Sequence, residues 1–391
     1  MTVPEDFPHA HFSNGHPYSL YERIHRAGPV RHPGGGYWVV GTHAEVRTVL
    51  ARPDLFRSRD GILLEETPDS YEAPPTITHT DPPDHTRYRG LVAPAFRPAV
   101  LRRLEADVRD RVRVLLDPLE PGRPFDAVAE LAVPLPLQVI CLLLGIPETD
   151  WARFHRWSEA IVPGAADMSE EERNALRVEC GTYLLAAAHE RREGPPGGDV
   201  VSQLALAELD GDRLTDLELV MFLIQLLVAG NETTRHAISG GLRALADHPG
   251  QWSALRSGAE AIDGAVEEIL RWTSPVVYFM RTAAEPVPLG GVKIAAGDRL
   301  MVLYGAASRD RAAYGPDAGC FDIARRPEAG LLAFGFGPHF CLGAALARME
   351  IRIVLEELLE RGYERIETAG EDEHNGSTVV TGLRRCPLRP V

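Results

Sequence analysis

Lysine is nearly missing from this chain: Lys293 is the only one among 391 residues, and arginine carries the rest of the basic charge. That bias reflects a GC-rich coding preference and discriminates nothing about chemistry. Long apolar runs are also missing. Nowhere do eighteen apolar residues follow one another, and the first thirty residues hold acids and prolines but no leader-like apolar core. The sequence therefore reads as soluble and cytoplasmic, with no membrane partner. Cysteine is scarce: Cys141, Cys180, Cys320, Cys341 and Cys386 are odd in number, scattered, and form no CxxC pair. This excludes a disulfide framework and leaves each to be judged singly. Net positive charge is absent as well; a formal charge of -15 opposes general binding of a polyanion, so no nucleic-acid partner is expected. The glycine run Gly34, Gly35, Gly36 precedes a strand and lacks GxGxxG spacing, so it reads as a plain loop. No flavin or nicotinamide motif and no internal repeat occurs.

What is present is an ordinary globular composition, 45% hydrophobic and 25% charged, over a length that fits either two domains or one large catalytic fold. A short strand is predicted at 37–40, followed by a capping box at Thr42 and Glu45 that opens a helix. From about Pro98 to Leu206 apolar residues recur at helical spacing, broken at Pro121-Gly122, Gly145 to Pro147 and Gly194 to Gly198. A second capping box, Thr215 to Glu218, opens a helix running without proline to about Asp247, where His248-Pro249-Gly250 stops it. Its middle, VMFLIQLLVAG, is apolar nearly all round, which predicts a helix buried through the protein centre. Further helices are predicted at about 258–272 and 342–359, with strands at 276–282 and 291–294.

Three constellations stand out. In FGFGPHFCLGA, Cys341 is the last loop position before an amphipathic helix. Gly335, Gly337 and Gly343 let the backbone approach a flat ligand closely, and the loop can aim amide N–H groups at the sulfur, favouring thiolate over thiol. The competing readings are a buried structural cysteine and a nucleophile, but no general base is identifiable by role and His339 could not readily reach the sulfur. Within the central helix, apolar continuity gives way abruptly to Asn231-Glu232-Thr233-Thr234-Arg235, polar groups that are costly to bury unless used. Finally, Glu268 and Arg271 share a helix face at i and i+3, and His85 and Arg89 share one at i and i+4, suited to gripping a carboxylate with two donors.

The cysteine loop resembles the haem-binding loop of the cytochrome P450 superfamily, F-x-x-G-x-x-x-C-x-G, and the other motifs follow in that family's order over essentially the whole chain. The resemblance implies a single domain spanning 1–391, mainly α with a minor β subdomain near 30–60, 275–305 and the C-terminus. In this cytochrome P450 fold the haem lies between the long central helix and the helix after the cysteine. It implies haem b (iron protoporphyrin IX) bound by Phe334, Gly337, His339, Cys341 and Gly343, with Cys341 as the metal ligand. Ala229 and Gly230 resemble the family's oxygen-binding segment, where small residues leave room for dioxygen, and Glu232 and Thr233 resemble its acid–alcohol pair, which relays protons. His85, Arg89, Arg281 and His339 are implied to hold the propionates. Glu268 and Arg271, joined by Arg325 from Phe321 to Arg325, are implied to be structural, holding the cysteine loop. One departure occurs: Gly330-Leu331 replaces the Pro-His that many bacterial relatives carry before the loop.

By the same resemblance the activity is haem-dependent monooxygenation, with dioxygen as co-substrate, of a small, largely hydrophobic molecule in specialised metabolism. The pocket is expected to be lined by Ile62, Leu63, Leu226, Val276, Val277, Phe279, Val379 and Val380. Acids in the loop from Asp60 to Glu72, among them Glu65, Glu66 and Asp69, could recognise a cationic substrate, although a solvated loop is the plainer reading. Electrons are expected from a ferredoxin-type donor docking near Arg87, Arg102, Arg103 and Arg348. The substrate could arrive on a carrier protein, and a monomer is expected. A peroxygenase and a catalytically silent haem-fold binding protein stay open as alternatives.

Overall fold

The computed structural model describes residues 3–8, 11–12, 15–67, 76–195, 197–209 and 211–391. The helices that frame the site are α1 (His43–Ala51), α2 (Asp84–Val92), α3 (Pro98–Leu116), α4 (Pro134–Leu144), α5 (Trp151–Ile161), α6 (Glu170–Glu193), α7 (Asp216–Asp247), α8 (Ala259–Thr273) and α9 (Ala344–Glu360). The principal sheet is built from β1 (Val30–Arg31), β2 (Tyr37–Val40), β3 (Phe56–Arg57), β4 (Tyr278–Ala283) and β5 (Arg299–Leu303), in the order β1-β2-β5-β4-β3. Only the β5–β2 pair is parallel, so the chain crosses most of the fold between them, while Met301 of β5 faces Met280 of β4.

The second capping box forms in full, the first only in its Thr42 half. Thr42 Oγ1 accepts from the Glu45 N–H, and at the head of α7 Thr215 Oγ1 accepts from the Glu218 N–H while the Glu218 carboxylate accepts from the Thr215 N–H at 2.8 Å. With its N-terminal donors satisfied, α7 runs 32 residues, roughly 48 Å, and stops at His248 before Pro249. Length and hydropathy would let α7 span a bilayer, but it is threaded through the protein instead. Phe222, Leu223, Leu227, Ile238, Leu242 and Leu245 belong to the largest apolar core, shared with α4, α8 and α9. The α4 contact is close: a Cβ on Gly230 would lie 3.0 Å from Ile140 Cδ1.

β4 begins at Tyr278, later than the predicted 276. The Val277 N–H donates to Val379 O and its carbonyl accepts from the Tyr304 N–H, so the C-terminal turn replaces a ladder neighbour at that residue. The helix after the cysteine starts at Ala344 and not at 342, because Cys341 and its neighbours are committed to the loop. α9 is fastened to α3 by charge: Arg109 and Arg113 both pair with Glu357 at 2.9 Å, and Arg352 bridges Glu105 and Glu356 at 3.0 Å.

Candidate active site

The cysteine loop is held from both sides. The Cys341 N–H donates to Phe334 O at 2.9 Å, and a Cβ on Gly337, whose φ is +71°, would lie 2.5 Å from Leu50 O, so only glycine fits against α1 there. Burial pushes the Cys341 thiol above its ordinary range. Three contributions oppose this: the Gly343 amide donates to the sulfur, and the Arg89 and Arg348 guanidiniums lie nearby. The amide predicted from the loop is therefore in place, on the residue two after the cysteine. The Gly330-Leu331 departure leaves the approach loop anchored, since Gly330 O accepts from Tyr314 Oη at 2.9 Å and from His43 Nε2 at 3.1 Å.

Around the loop lies a set of donors with no carboxylate of their own. Arg281 is buried, and among the described residues its guanidinium reaches only the Met280 carbonyl; burial depresses its basicity. Arg89 has no acid partner among the described residues, and burial lowers it too, with the Cys341 sulfur opposing. His85 is 1% exposed and neither ring nitrogen has a hydrogen-bond partner among the described residues; burial and then Arg89 bring it down to about 4. Its ring centroid lies 4.2 Å from that of His339, which Ser58 Oγ meets at Nε2 at 3.2 Å. Asp81 is the anion that acts on His85 and Arg281, and its carboxylate is spent on the N–H groups of Ser58 and Arg59, so two arginines and two histidines remain electrostatically under-compensated. Two carboxylates beside a thiolate ligand complete them, so the residues present fit a haem with its propionates.

Glu268 and Arg271 form a two-point pair in the core, and Arg325 approaches Glu268 at 3.4 Å. Arg271 further donates to the carbonyls of Ser308, Ala318 and Cys320, which ties the segment leading to the cysteine loop onto α8. Their geometry is that of a brace.

On α7 the sequence reading needs correction at Gly230, and the acid and alcohol point apart. Glu232 and Thr233 do not face the same side. Thr233 is partly accessible and its Oγ1 donates to Ala229 O at 3.1 Å, whereas Glu232 is buried, 2.8 Å from Arg235, with burial raising its pKa against Arg235. Consecutive helical residues project about 100° apart, which separates them. Gly230 does not widen the oxygen site either: it faces Ile140, and its smallness serves close helix packing, while Ala229 alone lies on the open face.

The predicted pocket residues divide. Val276 and Phe279 remain partly open and Ile62, Leu226, Val379 and Val380 are nearly closed over, but Val277 is fully buried. It belongs to one apolar cluster with Val3, Phe7, Tyr37, Val379 and Val380, whereas Val276 and Phe279 pack against another. Leu63 packs at the edge of the Val277 cluster. Glu66 is no cation receptor: its carboxylate accepts from the N–H groups of Ile62 and Leu63 and pairs with His79, while Arg299 holds the carbonyls of Leu63, Leu64 and Glu66. Asp69 and Glu72 lie outside the described residues. Arg348 is committed to Glu267 and to the face of Phe334, whereas Arg102 and Arg103 on α3 are exposed.

His155, His236 and Asn375 were not singled out from the sequence, and Arg235 was named only as the end of the polar stretch on α7. Arg235 was legible as i+3 to Glu232, but nothing local marks His155, which reaches it from α5.

The cytochrome P450 family model matches residues 125–363, more than half of the chain. The chain is 39% identical to the methyl-branched lipid omega-hydroxylase of Mycobacterium tuberculosis, over 95% of this chain and 88% of that protein. It is 37% identical to the vitamin D(3) 25-hydroxylase of Pseudonocardia autotrophica, over 95% and 93%. The structure of CYP109E1 from Bacillus megaterium in complex with testosterone superposes with a TM-score of 0.83 at 34% identity, covering 95% of this chain and 99% of that one. The chain belongs to the cytochrome P450 family and is a haem-thiolate monooxygenase.

Proposed function

We propose that this enzyme inserts one atom of dioxygen into a small, largely hydrophobic substrate of specialised metabolism, on haem b held by Cys341. The observation that carries the reading is Cys341 itself: a partly buried cysteine whose sulfur is met by the Gly343 amide, beside a cluster of donors from Arg89, Arg281, His85 and His339 in which His85 has no hydrogen-bond partner among the described residues. Haem bound to a cysteine thiolate supplies the oxidising chemistry, the sulfur's electron donation favouring O–O cleavage. The chain's own residues do the rest. Arg89, Arg281, His85 and His339 fix the propionates, Thr233 presents a hydroxyl on the open face of α7, and Glu232 behind it is the acid that feeds protons forward. Glu268, Arg271 and Arg325 hold the cysteine loop rigid.

Val276, Phe279 and Ala229 leave an apolar lining, and the relatives whose names state a substrate class act on a branched lipid and a vitamin D. This favours a hydrophobic substrate, free or presented on a carrier protein. Electrons come from a ferredoxin-type donor in the cytoplasm. In a chain of net charge -15, the exposed Arg102 and Arg103 form a local basic contact that an acidic donor fits. The test is the reduced carbon monoxide spectrum: the red-shifted thiolate band is expected in the wild type and lost in Cys341→Ser, followed by a spin-state screen of hydrophobic substrates and measurement of oxygen uptake. A band that persists in Cys341→Ser sinks the ligand assignment.

A further inference from the structure

The acid on α7 is not free to act from where it rests. Glu232 is 1% exposed and lies 2.8 Å from the guanidinium of Arg235, one turn further along the helix. Its Oε2 is within ion-pair range of that cation yet receives no aligned hydrogen bond. Asn231 contributes only a long contact of 3.5 Å to Oε1 and spends its amide on Ser158 of α5 at 3.2 Å. The pair is thus strong in charge and loose in geometry.

Arg235 has other places to go. Its Nη1 donates to His155 Nε2 at 3.0 Å, and its Nε lies 3.4 Å from His236 Nε2, which Asn375 also approaches at 3.2 Å. Behind His155, on the same α5 face, Glu159 lies 3.7 Å from Nε2. Exposure is lowest at Glu232 (1%) and Arg235 (6%) and higher on α5, 26% at His155 and 19% at Glu159. A guanidinium cannot shed its proton and is costly to leave buried without an acceptor. Glu232 can therefore turn toward Thr233 only if something else takes Arg235.

We propose that Arg235 is the positioning residue that holds Glu232 away from the open face of α7, and that the neutral His155 imidazole, which already accepts from the same guanidinium, is the acceptor that retains Arg235 when Glu232 leaves it. The inference rests on Glu232 being the proton-feeding acid. Its electrostatic sense follows from donor and acceptor roles. A neutral His155 accepts at Nε2, so Arg235 shifts toward α5 and Glu159 when Glu232 departs. A protonated His155 can only donate; it turns to Glu159 and leaves Arg235 on Glu232. The groups facing this line are Glu159 on α5, Asn231, Glu232 and His236 on α7, and Asn375 with His374 from the C-terminal turn. Burial and then Arg235 outweigh Glu159 and keep His155 below its ordinary pKa, so the release is available at neutral pH and lost on acidification.

The test follows the Glu232 carboxyl band of the holoprotein by infrared difference spectroscopy across a pH titration, with the band assigned by its disappearance in Glu232→Gln. His155→Phe removes the acceptor, pins Arg235 on Glu232 and is expected to lower the titration midpoint by about one pH unit. His155→Gln keeps an acceptor that does not titrate and is expected to hold the wild-type midpoint. Arg235→Gln is expected to raise it, because the buried carboxylate loses its cation. During turnover of a substrate found by spin-state screening, peroxide formation is expected to rise in His155→Phe to the level of Glu232→Gln and to return to wild type in His155→Gln. A wild-type midpoint and wild-type peroxide yield in His155→Phe overturn the proposal, as does an unmoved midpoint in Arg235→Gln. The titration needs no turnover, so its failure is distinct from failure of the monooxygenase reading, which shows itself as wild-type protein that consumes no dioxygen.

Discussion

Glu268 and Arg271 meet through two hydrogen bonds of 2.7 Å, and both side chains are 2% exposed. Among the described residues, removing Arg271 leaves the buried Glu268 only the longer Arg325 contact and the Asp322 amide. Arg271→Ala should destabilise the protein by about 3–5 kcal/mol and also free the carbonyls of Ser308, Ala318 and Cys320. Thermal unfolding and the fraction of protein that retains haem measure this. A variant that melts and loads haem like the wild type would show that the brace is dispensable.

Thr233 presents its hydroxyl on the open face of α7 while donating to Ala229 O. Thr233→Ala should keep substrate affinity but send electrons to peroxide, cutting product per electron by roughly tenfold or more. Thr233→Ser should recover most of the coupling. Peroxide measured per reducing equivalent decides; equal yields in wild type and Thr233→Ala would move the relay elsewhere.

His85 sets a pH dependence in the haem-free protein. Its pKa is about 4 in the folded state against 6.5 for the free side chain, so the unfolded chain binds the extra proton first. The stability that neutral His85 contributes is fully present above pH 6.5 and is lost as pH falls from 6.5 toward 4. A bound carboxylate raises the folded pKa, so the haem-loaded protein should lose less over that window. Urea midpoints of both forms against pH, with His85→Phe as the reference, check this; parallel curves for the loaded and haem-free protein would remove His85 from the carboxylate cradle.

Arg102 and Arg103 are exposed side by side on α3. Charge reversal at both should slow reduction by an acidic ferredoxin several-fold at low salt, with the difference fading as the ionic strength approaches about 1 M. Stopped-flow reduction rates that ignore the double substitution would place the donor elsewhere.

Much of the fold was legible because its signals are local. The Thr215–Glu218 box, the uninterrupted run to Asp247 and the stop at His248 bound α7 to within a residue, since capping and proline act over one turn. The cysteine loop, the Glu268–Arg271 pair and the His85–Arg89 spacing were readable for the same reason. Val277 was misplaced because a residue's face depends on strand register, and here the C-terminal turn, about a hundred residues later, sets where β4 begins.

Taken by itself, the sequence determined the chemistry: the cysteine before a helix, the acid and alcohol in an apolar helix, and the paired ions are identities at short spacing, and no folding rearrangement alters them. Only the tertiary structure decided their orientation. Adjacent residues on a helix point apart, so Glu232 is buried against Arg235 while Thr233 stays open, and His155, some eighty residues earlier, is brought within 3.0 Å of that guanidinium by the packing of α5 on α7. Burial then sets charge, because the same side chain is an acid, a lock or a latch according to which neighbours exclude water from it.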